Sequence, residues 1–429
     1  MKNYRYRKCG LAVLVMAVLS SCLSFEAFAA LPELKSAGKY IVSKGTKAAG
    51  DYQGRAGGPS YEYGKGLRLG ALTVKPFVQY VAEWTDNVFF DEEDEKDDLI
   101  HNLGLGAGAE MPLDGGRHLL YGSYAANFQW FDQFSSQDHT DQAYKAGFDL
   151  NFVPFSLSAE DTFRITTDRS DTEFTTRVPR NENYFDSLLE IPFARFFLET
   201  EGTDLDINYR SPENSVFDHN IFTIYQRVGV DVGTHTQFLA EYAYIGISYD
   251  NADGRDGDGH QAMLGLRGQA TARISYQVWG GAQWRTYDDD SRPDFNDFVF
   301  RGSVQYDISE SSYLILKGVR TPQESTFDDQ SFYVKNKGEL TWRQRITERL
   351  YVNSHGSLSY NDYSRKTVRV GVDTTREDYV WDAGVGLEYF MPNDLISFFG
   401  DYKVQSRDSN IPGFDYDSQV VSVGVKSLF

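Results

Sequence analysis

Between residues 378 and 389 the side chains Tyr379, Trp381, Ala383, Val385, Leu387 and Tyr389 recur at every second position, with Asp378, Asp382, Gly384, Gly386 and Glu388 between them. A helix would scatter these residues around its circumference. A strand puts the first set on one face and the second on the other. The next segment repeats the device: Ile396, Phe398, Gly400, Tyr402 and Val404 stand against Ser397, Asp401, Lys403 and Gln405. Strands that show one apolar and one polar face over such a length suit a barrel wall between lipid and a wet lumen.

Segments of this kind fill the chain from residue 71 onward. They fall at 71–84, 99–112, 118–132, 142–153, 155–167, 183–193, 196–209, 218–231 and 237–249. A second set lies at 260–271, 273–287, 297–308, 312–324, 331–343, 348–360, 377–390, 394–406 and 416–429, which makes eighteen. Short connections such as Asp114-Gly115-Gly116, Val153-Pro154, Gly233-Thr234 and Met391-Pro392-Asn393 alternate with long ones near 85–98, 168–182, 250–259, 288–296, 361–376 and 407–415. An even strand number with tight turns at one end and long loops at the other predicts an all-β fold, a transmembrane antiparallel up-and-down β-barrel of about 18 strands with both termini periplasmic. Two segments fit this poorly. The one from Phe155 puts Asp161 on the face of Leu157, Ala159 and Phe163, and the one from Phe196 switches parity near Gly202, so a β-bulge or a miscounted register is expected there.

The N-terminus explains how such a chain leaves the cytoplasm. Lys2, Arg5, Arg7 and Lys8 precede an apolar run from Leu11 to Leu19, and Ala27-Phe28-Ala29 supplies a small-x-small site, so residues 1–29 read as a secretory signal peptide. A lipoprotein-type cleavage at Leu19-Ser20-Ser21-Cys22 is the alternative. Cleavage after Ala29 removes both cysteines, Cys9 and Cys22, as suits an oxidising compartment. It also removes four basic residues and one acidic residue, so the formal charge moves from −20 to −23, a balance that repels nucleic acid. Residues 30–70, with Gly50, Gly54, Gly57, Gly58 and Pro59, show neither period and read as a flexible periplasmic extension before the 71–429 barrel. After the leader no apolar run reaches the roughly 18 residues a helical span requires.

The stretch from Thr73 reads Thr-Val-Lys-Pro-Phe-Val-Gln-Tyr, and from Glu83 it reads Glu-Trp-Thr-Asp-Asn-Val-Phe-Phe, followed by an acidic loop. This resembles the opening of the putative β-barrel porin 2 family, whose first strand runs through a Pro into a Tyr or Trp, an acidic residue and Asn-x-Phe, here Asn87-x-Phe89. Asn183-Tyr184-Phe185 at a strand start extends the likeness loosely across 71–429. The resemblance implies an outer-membrane barrel. Some members look like exopolysaccharide or capsule secretion porins that work with a periplasmic polysaccharide-export protein, and others have no known role.

The sequence offers little for catalysis. His101, His118, His139, His219, His235, His260 and His355 lack HxxxH or HExxH spacing, and there is no Gly-x-Ser-x-Gly. The expectation is a protein that is not an enzyme and carries no resident cofactor. One loop, Asp253-Gly254-Arg255-Asp256-Gly257-Asp258-Gly259, spaces oxygen ligands by glycines, and Asp253, Asp256 and Asp258 are candidates for calcium; a flexible acidic loop near lipopolysaccharide-bound cations is the plainer reading. Parity points Lys145, Arg164, Arg227, Gln277, Trp279, Gln283, Arg285, Tyr287, Arg301, Gln305 and Lys403 into the lumen. Arg, amide and aromatic side chains along one wall suit a sugar chain, and any water-filled barrel also needs polar inward residues. Val421, Val423, Val425 and Phe429 form the lipid-facing series of a closing strand that the barrel-assembly machinery would insert among outer-membrane lipid and lipopolysaccharide. Three functions follow: a conduit for exopolysaccharide or capsule export, a general or solute-specific diffusion porin, and a structural or adhesive barrel.

Overall fold

The computed structural model describes residues 66–169, 173, 176–252, 254–327, 330–366, 374–392 and 395–428. Residues 1–65, which include the stretch expected to be a leader, and Phe429 therefore lie outside the described residues. The strands are β1 (Leu67–Leu69), β2 (Leu72–Thr85), β3 (Asp98–Leu113), β4 (His118–Phe131), β5 (His139–Asn151), β6 (Ser156–Thr166) and β7 (Arg180–Phe193). Next come β8 (Phe196–Tyr209), β9 (His219–Asp231), β10 (Thr236–Tyr249), β11 (Gly257–Thr271), β12 (Ile274–Tyr287) and β13 (Phe295–Ser309). The last six are β14 (Ser312–Glu324), β15 (Phe332–Arg345), β16 (Leu350–Lys366), β17 (Thr375–Phe390), β18 (Ile396–Ser409) and β19 (Tyr416–Leu428).

From β2 to β19 each strand pairs antiparallel with its sequence neighbours, and β19 pairs back onto β2, with Leu428 opposite Phe77 and Val420 opposite Thr85. Eighteen strands thus close a barrel, which leaves no free sheet edge for a second chain to pair with. The additional strand β1 falls inside the stretch read as a flexible extension. It folds back so that Leu69 lies opposite Leu72 and Leu67 opposite Val74, a part of β2 that the pairing with β19 does not reach.

The outer face shows why these segments are strands. Exposed Leu105, Leu264, Leu358, Val385 and Val423 lie along the middle of the wall. Trp84, Trp130, Trp284, Phe298 and Trp381 ring the end with the long loops, and Phe193, Phe196, Phe238, Tyr306, Tyr389 and Phe398 ring the other. This is an apolar band between two aromatic girdles. Val421 and Val423 of the closing strand belong to the exposed series. Inward glycines give large side chains room to lie flat on the wall: a Cβ on Gly265 would come within 2.4 Å of the Trp279 ring, and one on Gly229 within 1.9 Å of Phe197.

The bulge expected in β6 or β8 is absent. Pairing runs without a slip from Gln142 opposite Ile165 to Asn151 opposite Ser156, and along β7–β8 and β8–β9. Asp161 does sit on the outer face, where Asn183 Nδ2 donates to it at 3.1 Å. The apparent parity switch in β8 arises because its inner face mixes Phe197, Leu205 and Tyr209 with Glu199, Glu201 and Thr203, all buried.

The two ends differ as the loop lengths predict. Ala194-Arg195, Ala272-Arg273 and Glu310-Ser311 are two-residue turns at one end, and at that end Val153 is 95% exposed. At the other end the long connections fold over one another, and Val88, Val178, Phe217, Arg255 and Ile411 are buried among them.

Candidate functional site

The connection from Thr167 to Pro179 between β6 and β7 is the feature that organises the mouth. It leaves the wall at Thr167, whose N–H donates to Asp141 Oδ1 at 2.8 Å. On one side the Arg169 guanidinium lies 3.6 Å over the Phe90 ring and donates to the Val88 carbonyl, both on the β2–β3 connection. On the other side Glu173 accepts from Ser325 Oγ at 2.6 Å and Thr326 Oγ1 at 2.7 Å, and also from the Thr326 N–H, on the β14–β15 connection. That second tie joins strands eight places apart in a ring of eighteen, so Glu173 sits against the far side of the mouth.

Burial sets the electrostatics of this loop. It pushes the Glu173 carboxyl above its ordinary value, against the lowering effect of the Ser325 and Thr326 hydrogen bonds and the Arg376 charge. Burial likewise brings Arg169 down to about 9, aided by the nearby Arg177 cation and opposed by Tyr416 and Asp168.

An arginine and aromatic collar surrounds the loop. Phe90 stacks on Tyr416 with centroids 4.4 Å apart and planes at 7°, and Arg407 lies 4.8 Å over the same tyrosine. Arg376 lies 3.7 Å over Phe414 while Asp378 accepts from it at 2.9 and 2.6 Å. Such pairs hold cations in place at partly dry sites. The Asn87-x-Phe89 motif serves the same rim. Buried Asn87 donates to the carbonyls of Asp91 (2.7 Å) and Asp417 (2.9 Å) and accepts from the Asp91 N–H, which fastens the β2–β3 connection to β19 at the closing seam.

Beneath the loop lies a cavity of about 750 Å³ whose walls include Glu83, Glu182, Glu324, Asp382 and Asp401 together with Arg285, Lys335, Lys337 and Lys403. Of the residues that the sequence points inward, Arg285 and Lys403 border it. Arg285 donates to Glu324 at 2.9 Å, and the Tyr287 hydroxyl donates to the same carboxylate at 3.2 Å. Lys145 donates to Glu160 at 3.0 Å, Arg164 stands 3.6 Å from Glu182, and Gln305 donates to Asp307 at 2.8 Å. Gln277 lies opposite Arg267 on the inner wall.

Arg227, Trp279, Gln283 and Arg301 are instead buried in the wall away from this cavity. Arg227 donates to Glu241 at 2.6 Å and to Glu201, and stands 3.7 Å from Glu199. Arg301 donates to the same Glu241 and lies 4.8 Å over Trp279, while Arg267 donates to Glu199. Three arginines and three glutamates thus neutralise one another at mid-wall. Neither these acidic partners nor Arg169 and Glu173 were legible as site residues, because in the sequence they are ordinary charges on strands and in a polar loop.

Of the three calcium candidates, two lie among the described residues. Asp256 accepts from the Tyr249 N–H at 2.7 Å, whereas Asp258 is bound by the Tyr244 hydroxyl on the outer face; Asp253 lies outside the described residues. Among the described residues, metal-like spacing occurs instead at His139, Asp141 and Asp168.

The family model described as putative beta-barrel porin 2 matches residues 59–429. No curated protein matches the chain. Among solved structures, the outer membrane protein OpdK from Pseudomonas aeruginosa is 11% identical, with 82% of this chain and 98% of that chain covered and a TM-score of 0.44. A BenF-like porin from Pseudomonas fluorescens Pf-5 is 8% identical over 84% and 100%, with a TM-score of 0.46. A bacterial polysaccharide outer membrane secretin is 10% identical over 83% and 98%, with a TM-score of 0.34.

Proposed function

The chain belongs to the putative β-barrel porin 2 family of outer-membrane barrels, and from that premise we propose that it is a diffusion porin for small polar solutes, gated by the β6–β7 loop. The observation that carries this reading is the tie from Glu173 to Ser325 and Thr326 across the mouth. The contacts of Arg169 on one side of the opening and Glu173 on the other would hinder an extended polymer, and the cavity of about 750 Å³ has room for a small hydrated molecule. Paired acidic and basic side chains around the cavity favour hydrated solutes of either sign over a ladder of one charge. Arg169 and Arg177, which border the cavity, offer anionic groups a first contact.

Export of exopolysaccharide or capsule, with a periplasmic export protein at the turn-bearing end, rests on the family resemblance and needs the loop displaced. An adhesive role leaves the cavity unused. In the same reading the acidic loops meet lipopolysaccharide-bound cations, and the barrel-assembly machinery inserts the chain with β19 as its closing strand. No catalytic step is assigned.

Liposome swelling tests the proposal. Proteoliposomes should admit monosaccharides and amino acids and exclude oligosaccharides, and replacing residues 170–175 by two glycines should raise both the size limit and single-channel conductance. Exclusion of all solutes by the intact protein, together with loss of surface polysaccharide when the gene is deleted, would overturn diffusion in favour of export.

A further inference from the structure

We propose that His139, Asp141 and Asp168 bind one divalent transition-metal cation of the zinc class at the root of the inward loop. His139 and Asp141 stand two apart on the inner face at the start of β5, and Asp168 lies two residues beyond the end of β6. One ligand atom from each falls within 4.8 Å of the others.

His139 supplies the independent observation. Its Nδ1 lies 2.6 Å from the Gln137 carbonyl, an acceptor only, so the ring proton sits on Nδ1 and the Nε2 lone pair is left facing inward. The side chain is 8% exposed, and Nε2 has no hydrogen-bond partner; the nearest charged atom is Asp141 Oδ2 at 3.9 Å. A buried ring acceptor therefore faces carboxylate oxygens, which are acceptors too. A cation held between them would supply the partner that His139 Nε2 lacks and meet the carboxylates at the same time. A backbone carbonyl on the far ring nitrogen is the usual outer partner of a metal-binding histidine.

The carboxylates are held for the task. Asp141 Oδ1 accepts from the Thr167 N–H at 2.8 Å, which leaves Oδ2, touched at 3.4 Å by Thr166 Oγ1, turned toward His139. The Asp168 N–H donates to Thr166 Oγ1 at 3.2 Å and its carbonyl accepts from Arg180 at 2.6 Å, so the loop root is fixed on both sides. Arg177, 3.9 Å from Asp168 Oδ1, offsets part of the negative charge. One imidazole nitrogen with two carboxylate oxygens suits zinc or its first-row neighbours, with bonds of about 2.0–2.2 Å and open positions for water. Calcium and magnesium take all-oxygen shells. The cation would couple the loop root to β5, whatever crosses the lumen.

The test uses the full, untagged chain in detergent, stripped with a chelator and titrated calorimetrically with Zn²⁺, with Co²⁺ absorption as a second readout. Wild type should take up one equivalent, and Asp168→Asn and His139→Gln should each weaken uptake by about tenfold or more while heat-modifiable gel mobility stays that of the closed barrel. Asp168 lies on a connection, so its variant remains informative if the His139 variant does not fold. No saturable Zn²⁺ uptake, uptake unchanged in the variants, or a preference for Ca²⁺ would overturn the assignment.

Discussion

The arc from β16 to β19 and the arc from β6 to β9 obey the same alternation with opposite clarity. On the first, the outer face is largely apolar, with Leu358, Tyr379, Trp381, Val385, Leu387, Phe398, Val421 and Val423 exposed. On the second, the outer face carries Asp161 bonded by Asn183 and Asp204 bonded by Asn220, while the inner face buries Phe197, Leu205 and Tyr225 beside Glu199, Glu201 and Arg227. The difference teaches that polarity marks a face only where that face has a single kind of neighbour. The second arc has an inner wall dry enough to bury arginine and glutamate together, and from it springs the loop whose Glu173 sits against the far side of the mouth.

The strongest way to sharpen this comparison is to break the inner wall of the second arc. Arg227→Met leaves Glu201 buried without its cation and takes one of two cations from Glu199 and Glu241, and should cost about 3–5 kcal/mol in urea unfolding. Lys403→Met on the first arc borders the wet cavity and should cost less than about 1 kcal/mol.

The outer faces give the next contrast. Val423→Arg in the clean arc should destabilise by about 2–4 kcal/mol, whereas Asp161→Leu combined with Asn183→Leu should leave stability equal or higher. A loss from the double variant as large as that from Val423→Arg would show that the polar pair faces something other than lipid. At the seam of the clean arc, Asn87→Ala removes three hydrogen bonds at a buried site and should cost about 1–3 kcal/mol, read as a lower temperature of heat-modifiable unfolding.

The smallest effect concerns the loop. Burial raises the Glu173 carboxyl above its ordinary 4.5, so the docked loop holds the proton more tightly than the released one. The docking contribution is full at acid pH and declines as pH rises through the raised value. Single-channel conductance should therefore increase from acid toward neutral pH, and Glu173→Gln should flatten that step. A step of unchanged size in the variant would assign the pH response to another group.

Most of the architecture could be read before any coordinates. The segments from 71 to 429 correspond to β2 through β19, and the exposed series in β17, β18 and β19 is the one the alternation picks out. The reading failed where its signal was mixed. A bulge was expected in β6 or β8 because Asp161 and Gly202 disturbed the pattern, yet the register there is continuous. The strand β1 escaped notice because three residues are too few to show a period. The inward residues were legible as a set, but Arg285 and Lys403 at the cavity could not be separated from Arg227 and Arg301 in the buried wall, since all four share one parity.

The sequence by itself determined a barrel of eighteen strands, which face of most strands meets lipid, and which end carries the loops. These follow from the period of two and from connection lengths, which are local properties of the chain. Only the tertiary structure decided that Glu173 reaches Ser325, that three arginines neutralise three glutamates at mid-wall, and that His139 meets Asp168. Those contacts join residues far apart in the chain, and no local period encodes which strands closure brings face to face.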